Sequence, residues 1–595
     1  MLATVVTAFL HAYTARQGIG WTAGVAHLEP LIALLCFALA VRLALAKWFG
    51  APGAAVAALL FSLLPLLMAV YYALVLVGLA FWGQVISWRL IVSYLPEAQA
   101  LVATFGLHPP TVLAGALILL VGYFGAALAW GGRMDFVRSV AQSLPTRTAV
   151  LLVAAGVVLG SSLAGSFLNT PPVASREPLA MTLFPELAGR RIQSTMAVDQ
   201  KEALASAEHA RESYVVRAAP VTNVILVVVD ALRADRVEDP ALRARAMPHL
   251  DRMVKSGVLK VIPGTRSVCT ESSCGLLSLA RARFVHEQSD RDFTLYEMMR
   301  RNGYVTRLML GGDHTNFYGL REAYGDVDQY IDGASAPPGS MNDDRWLLQQ
   351  VKGLPRWTGR PHFMQLHWMS CHPLGRRDPA YAVFQPHHPY STFRIAQPKD
   401  RISPERARNH YDNGVYQFDA YLRQALQALS SKGYLKNTLL VITSDHGELL
   451  GEHGQYSHSG RPLEPALRVP LLVARFGGQS PHWDRAAGAS VVDIAPSIAT
   501  ELGVQVPSSW TGVPLQKPLA QPLRPFQQGN TLGVHDYSAS DTLFKYARDF
   551  ATGEESVHEL VSDPEETENM VNGIPAERLQ KWRKAVFWIA GRTLR

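Results

Sequence analysis

Residues 223–230, Asn-Val-Ile-Leu-Val-Val-Val-Asp, decide how this chain is to be read. The run is short, apolar and rich in β-branched residues, and it stops abruptly at Asp230. A stretch of this length with no polar face predicts a strand covered on both sides, as in a parallel sheet. The same grammar recurs at residues 304–310 before Gly311-Gly312-Asp313-His314, at 362–366 before His367, and at 438–443 before Ser444-Asp445-His446. Helical patterns at 294–302 and 411–432 alternate with these strands. The predicted architecture is therefore an α/β domain with a mixed, mostly parallel sheet and helices on both faces. Its ligand crevice is expected at the carboxyl ends of the strands, where the polar residues stand.

Working toward the amino terminus, the composition changes. Residues 28–46, 52–82, 112–130 and 149–168 are apolar runs almost without charge apart from Arg42. Each is long enough for a bilayer core about 30 Å thick. Four spanning helices are predicted. Residues 1–15 offer a fifth, 52–82 has room to kink at Pro65, and 88–106 reads as an interfacial helix. The loop 131–147 carries Arg133, Arg138 and Arg147 against Asp135 alone, which predicts a cytoplasmic loop and an external remainder. No cleavable leader pattern precedes the first run, so the helices are expected to stay as an anchor. The expected organisation is a transmembrane domain over 1–168, a juxtamembrane linker over 169–219 and an external catalytic domain over 220–595. In a Gram-negative cell this is an inner-membrane protein facing the periplasm.

The net charge of +7 is spread along 595 residues without a basic run, which excludes a nucleic-acid-binding stripe. Four cysteines, Cys36, Cys269, Cys274 and Cys371, are too few for a disulfide framework. The chemistry-bearing residues lie elsewhere. Asp445 and His446 are adjacent ligand types at a strand end, and Asp230 ends another strand on a carboxylate that is costly to bury without a positive partner. These three are the candidate metal ligands. His458, in Tyr456-Ser457-His458, is a candidate donor to a bound anion.

Together these segments resemble the alkaline-phosphatase superfamily, in its sulfatase and lipid phospho-group transferase branches, over residues 223–570. Residues 227–235 (VVVDALRAD) look like the opening metal strand of sulfatases. Residues 435–454, followed by Leu467-Arg468-Val469-Pro470, are similar to their second metal segment, and 552–570 to their carboxyl-terminal strand. Other pieces resemble the membrane-bound phosphoethanolamine transferases and lipoteichoic-acid synthases: residues 366–373 (LHWMSCHP), 409–413 (NHYDN) and 456–458 (YSH). The resemblance implies substrate-binding roles for His372 and His458, with Arg233 and Arg321 as further anion contacts. Sulfatases pair two Asp residues where this chain has Asp230-Ala231. Fewer carboxylates beside His446 shift the expected cofactor toward zinc or manganese, with calcium or magnesium less well matched.

The segment 267–283 (SVCTESSCGLLSLARAR) occupies the family's nucleophile position, just before a helix. Registered on Leu276-Leu277-Ser278, Cys269 falls where sulfatases carry formylglycine, yet Glu271 and Ser273 stand where their maturation pattern needs proline and arginine. Thr270, with Ser273, fits the transferase spacing. Cys269 and Thr270 are thus both candidate nucleophiles, and a Cys269–Cys274 disulfide is the competing reading. The implied activity is metal-dependent hydrolysis or transfer of a phosphate or sulfate ester through a covalent enzyme intermediate, on an envelope lipid or glycan. The alternatives are a true sulfatase and a catalytically silent regulator that binds lipid or a partner.

Overall fold

The computed structural model describes residues 2–17, 22–81, 85–98, 109–131, 135–169, 177–184, 199–216, 221–316, 319–390, 403–483, 488–518, 523–528, 535–541 and 543–592. These divide into two compact units, 1–92 with 107–188 and 93–106 with 189–595.

The elements described in the first unit are all helices. Leu2–Gln17 forms a helix, and Thr22–Phe81 is a long apolar one whose backbone leaves the helical region at Gly50, just ahead of Pro52, while Pro65 lies within a helical run. Pro109–Gly131, Asp135–Ser143 and Thr146–Asn169 follow. Among the described residues two segments, Gly24–Gly50 and Thr146–Asn169, are long and apolar enough to cross a membrane, and Leu63–Leu79 and Leu113–Gly125 are shorter apolar helices. Small residues let two of them approach closely. A Cβ on Gly156 would meet the Ala40 Cβ at 3.1 Å, and one on Gly160 would meet the Ala33 carbonyl oxygen at 3.2 Å. Of the expected interfacial helix, Trp88–Tyr94 is helical, and 99–106 lies outside the described residues. The loop arginine Arg133 also lies outside them.

The second unit is built on a seven-stranded sheet. Its strands are β1 (Asn223–Val229), β2 (Lys260–Val261), β3 (Val305–Leu310), β4 (Gln329–Ile331), β5 (His362–Trp368), β6 (Thr438–Thr443) and β9 (Leu471–Phe476), in the order β2-β9-β6-β1-β5-β3-β4. A short pair, β7 (Leu449–Leu450) and β8 (Tyr456–Ser457), stands apart. β1 pairs in parallel with both β5 and β6, and β3 in parallel with β4 and β5, while β9 runs antiparallel to β6. The unbroken apolar run of β1 has its reason here. Val224, Leu226 and Val228 enter one core, and Ile225, Val227 and Val229 the other, on the opposite face. The predicted strands at 223–229 and 438–443 match residue for residue, whereas β5 runs two residues further than expected, so His367 lies inside it. The helix expected from 411 begins at Pro404 under a Ser403 cap, which puts the Asn409–Asn413 motif inside the helix and not at its start. An antiparallel sheet, β10 (Arg524–Gln527), β11 (Asp536–Ser540), β12 (Phe544–Asp549) and β13 (Glu555–Glu559), completes the unit.

Candidate active site

Because β1 lies between β5 and β6, Asp230, His367 and the Asp445-His446 pair are delivered side by side at the carboxyl edge. The Asp230 Oδ1 lies 3.4 Å from the His446 Nε2, and the Asp445 Oδ2 lies 3.6 Å from the same nitrogen. One ligand atom from each of these three buried residues falls within 4.8 Å of the others. The His446 Nδ1 donates to the Gly447 carbonyl at 2.7 Å, so its Nε2 lone pair faces the carboxylates. The Asp230 Oδ1 and Asp445 Oδ2 are buried without hydrogen-bond partners. Burial, with the charges of Asp445 and Glu448, pushes the Asp230 carboxyl well above the usual range. Unpaired acceptors converging in a dry interior fit a divalent cation.

Ser272 stands in this cluster. Its hydroxyl is 3.1 Å from the His446 Nε2 and 3.4 Å from the Asp230 Oδ2. It opens the helix Ser272–Arg281, whose free amides favour an anion. Gly275 lets that helix in: a Cβ there would lie 2.3 Å from the Asp445 carbonyl oxygen.

The residues expected to be nucleophiles are placed differently. Cys269 is bonded to Cys274 in a disulfide, so it has no thiolate to offer. Thr270 donates its hydroxyl to the Gly460 carbonyl at 2.9 Å, and its own carbonyl accepts from the Ser459 amide at 2.7 Å, tying down the loop that carries His458. Sequence reasoning passed over Ser272 because the register on Leu276-Leu277-Ser278 fixes spacing along the chain. It does not show which residue the turn aims at the metal ligands.

His458 and His372 come together with His446. Ring centroids are 4.3 Å apart for His446 and His458 and 4.9 Å for His372 and His458. The two serines flanking His458, Ser457 and Ser459, both hold left-handed backbone, at φ 72° and 65°. The His372 Nδ1 accepts from the Leu374 amide at 3.1 Å, which leaves the proton on Nε2. Burial and the neighbouring imidazoles hold His372 well below the ordinary histidine range, and burial lowers His458 to about 4. Glu448, fully buried and also passed over in the sequence, faces the His458 Nδ1 across 3.2 Å, with one proton between them. Its signal was its place in Ser444–Gly454, two residues after His446.

Of the two arginines, Arg233 reaches the edge of the cluster, where it donates to the Glu448 carbonyl at 3.0 Å. Arg233 is committed to Asp235 at 2.8 Å and Glu452 at 2.7 Å, so its charge is already balanced. Arg321 donates to the Gly325 carbonyl and lies over the Tyr330 ring, and no contact among the described residues joins it to the site.

Residues 222–504 match the family model for Sulfatase. The chain carries a sulfatase-family domain. Its relatives mark this domain as similar to sulfatase-like hydrolases and transferases. The sulfatase-like chain is 24% identical over 443 residues to "Arylsulfatase K" of Xenopus laevis, covering 61% of this chain and 82% of that one. It is 23% identical over 454 residues to an "Arylsulfatase" of Clostridium perfringens, covering 61% and 93%. A solved structure of the carboxyl-terminal periplasmic domain of EcEptC from Escherichia coli, in complex with Zn, aligns with a TM-score of 0.45 at 14% identity, covering 56% of this chain and 95% of that one.

Proposed function

We propose that this protein is a metal-dependent enzyme that cleaves or transfers a phosphodiester of an envelope lipid or glycan, with Ser272 as the nucleophile. The observation that carries this reading is the Ser272 hydroxyl 3.1 Å from the His446 Nε2 at the start of a helix. Asp230, Asp445 and His446 hold a divalent cation, zinc or manganese by donor type. When bound it supplies the positive charge that favours the serine alkoxide and polarises the ester. Ser272, its hydroxyl proton released to solvent, attacks the central atom to give a seryl ester as the bond from that atom to the alcohol oxygen breaks. The helix amides and the Nε2 proton of His372 stabilise the non-bridging oxygens. The proton held between His458 and Glu448 is placed to reach the departing alcohol. Water or an acceptor hydroxyl then releases the group from Ser272.

A phosphodiester is favoured over a sulfate ester for two reasons. The disulfide removes Cys269 from formylglycine formation, and Ala231 stands where a second ligating carboxylate would be. The test uses the full-length protein in detergent with bis(p-nitrophenyl) phosphate and p-nitrophenyl sulfate. Turnover of the diester with a mass increase on the Ser272 peptide is expected. Turnover confined to the sulfate, or loss of about 18 Da at Cys269, overturns the assignment.

The apolar helices of the first unit support membrane anchoring, and the arginines of the 131–147 loop support an external catalytic domain. Protease added outside spheroplasts is expected to remove the region after residue 169. Protection of that region refutes the orientation.

A further inference from the structure

β5 carries a second imidazole into the cluster, and its hydrogen bonds determine which nitrogen is free. The His367 Nδ1 lies 3.1 Å and the His314 Nε2 3.0 Å from the same acceptor, the Gly311 carbonyl oxygen. The two nitrogens also lie 3.2 Å from each other; in the tautomer with a proton on each, both donate to that oxygen. The His314 Nδ1, now an acceptor, receives the Tyr324 hydroxyl at 3.0 Å, which closes the arrangement consistently. In this arrangement the remaining His367 nitrogen, Nε2, is a lone pair. It is buried, has no hydrogen-bond partner and lies 3.7 Å from the Asp230 Oδ2. Two electron-rich atoms face each other with no proton between them. Beside them stand the orphaned Asp230 Oδ1 and Asp445 Oδ2. An interior that leaves such acceptors unpaired is destabilised unless a cation satisfies them.

We infer that His367, through Nε2, is a further protein ligand of the cation held by Asp230, Asp445 and His446. The inference rests on that three-residue site being the metal centre. Both histidines then have one design, an Nδ1–H anchored on a backbone carbonyl, Gly447 for His446 and Gly311 for His367, with Nε2 turned to the ion. His314 is the positioning residue that shares the carbonyl. A two-histidine, two-carboxylate set selects borderline cations such as zinc and cobalt over calcium and magnesium.

The test uses the full-length protein in detergent, loaded with cobalt as a paramagnetic probe. Hyperfine-shifted proton NMR is expected to show two exchangeable imidazole N–H signals, of which His367→Gln loses one. Zinc affinity from chelator competition is expected to fall at least ~10-fold in that variant, since even partners outside the ligand shell are worth ~10–100-fold. The wild-type count needs no variant, so a misfolded His367→Gln does not blunt the test. A single imidazole signal in the wild type, two surviving in His367→Gln, or two ions per chain with only one lost in that variant overturns the inference. An Asp445→Asn variant that binds cobalt as tightly as wild type refutes the underlying three-residue site itself.

Discussion

Two buried polar clusters in this molecule look alike by composition and differ in what they leave undone. In the helical unit, His27 is buried with one ring nitrogen on Glu177 and the other 2.8 Å from the Tyr72 hydroxyl, while Glu177 also caps the helix Pro178–Leu183. Every acceptor there is used, and the cluster joins three segments of one unit. At the edge of the sheet, Asp230, Asp445, His446 and His367 are equally buried, yet three of them retain orphaned acceptor atoms. The first cluster is complete as it stands, and the second requires something from outside the chain. The surfaces invert in parallel. Ile118 and Leu119 of the helical unit are 72% and 76% exposed, whereas the central strands β1, β5 and β6 are buried along their whole length.

The largest effect that would break this contrast is at Ser272. Ser272→Ala is expected to lower diester turnover by ~10³-fold or more while the metal content of the purified protein stays at the wild-type level. Loss of metal together with activity would make Ser272 a structural part of the ligand set. Next comes the completed cluster. Glu177→Ala removes a cap and leaves His27 buried without its partner, at a cost of about 2–3 kcal/mol seen as a lower melting temperature in detergent. A variant with an unchanged melting point would mean the cluster is not the fastener it resembles.

The disulfide gives a smaller and more diagnostic effect. Closing a loop between residues five apart is worth about 2 kcal/mol on the chain-entropy account, so Cys269→Ser with Cys274→Ser should melt earlier. Turnover per folded molecule should remain within about tenfold of wild type, because Ser272 and not Cys269 stands beside the ligands. Abolished turnover in a folded double variant would return the nucleophile to residue 269.

The smallest effect concerns His286, which lies against Trp588 in a T-shaped contact with centroids 4.7 Å apart. Burial, helped by Arg283, lowers its pKa from 6.5 to about 3. The unfolded chain then binds the proton more readily, so this contribution to stability is full above pH 6.5 and is lost as pH falls toward about 3. His286→Phe should flatten that part of the acid limb of the melting curve. An unaltered pH profile would show the shift to be absent.

The sequence by itself determined the sheet and named the three residues that the structure brings together as a candidate metal site. An apolar run that ends on a carboxylate is a local signal, and burial on both faces demands it wherever the strand sits. Asp230, Asp445 and His446 were therefore legible as candidates before any contact was known, and the resemblance named His372 and His458, which the structure places beside them. The proposed nucleophile was not legible, because successive residues of a helical turn point about 100° apart. Cys269, Thr270 and Ser272 differ only in where the helix begins and how closely Gly275 lets it approach Asp445. The roles proposed for Glu448 and His367 were equally hidden, since each depends on atoms from distant segments, such as the Gly311 carbonyl beside the His367 Nδ1. Which polar atoms are left without a partner is a property of the packed interior, and only the tertiary structure decides it.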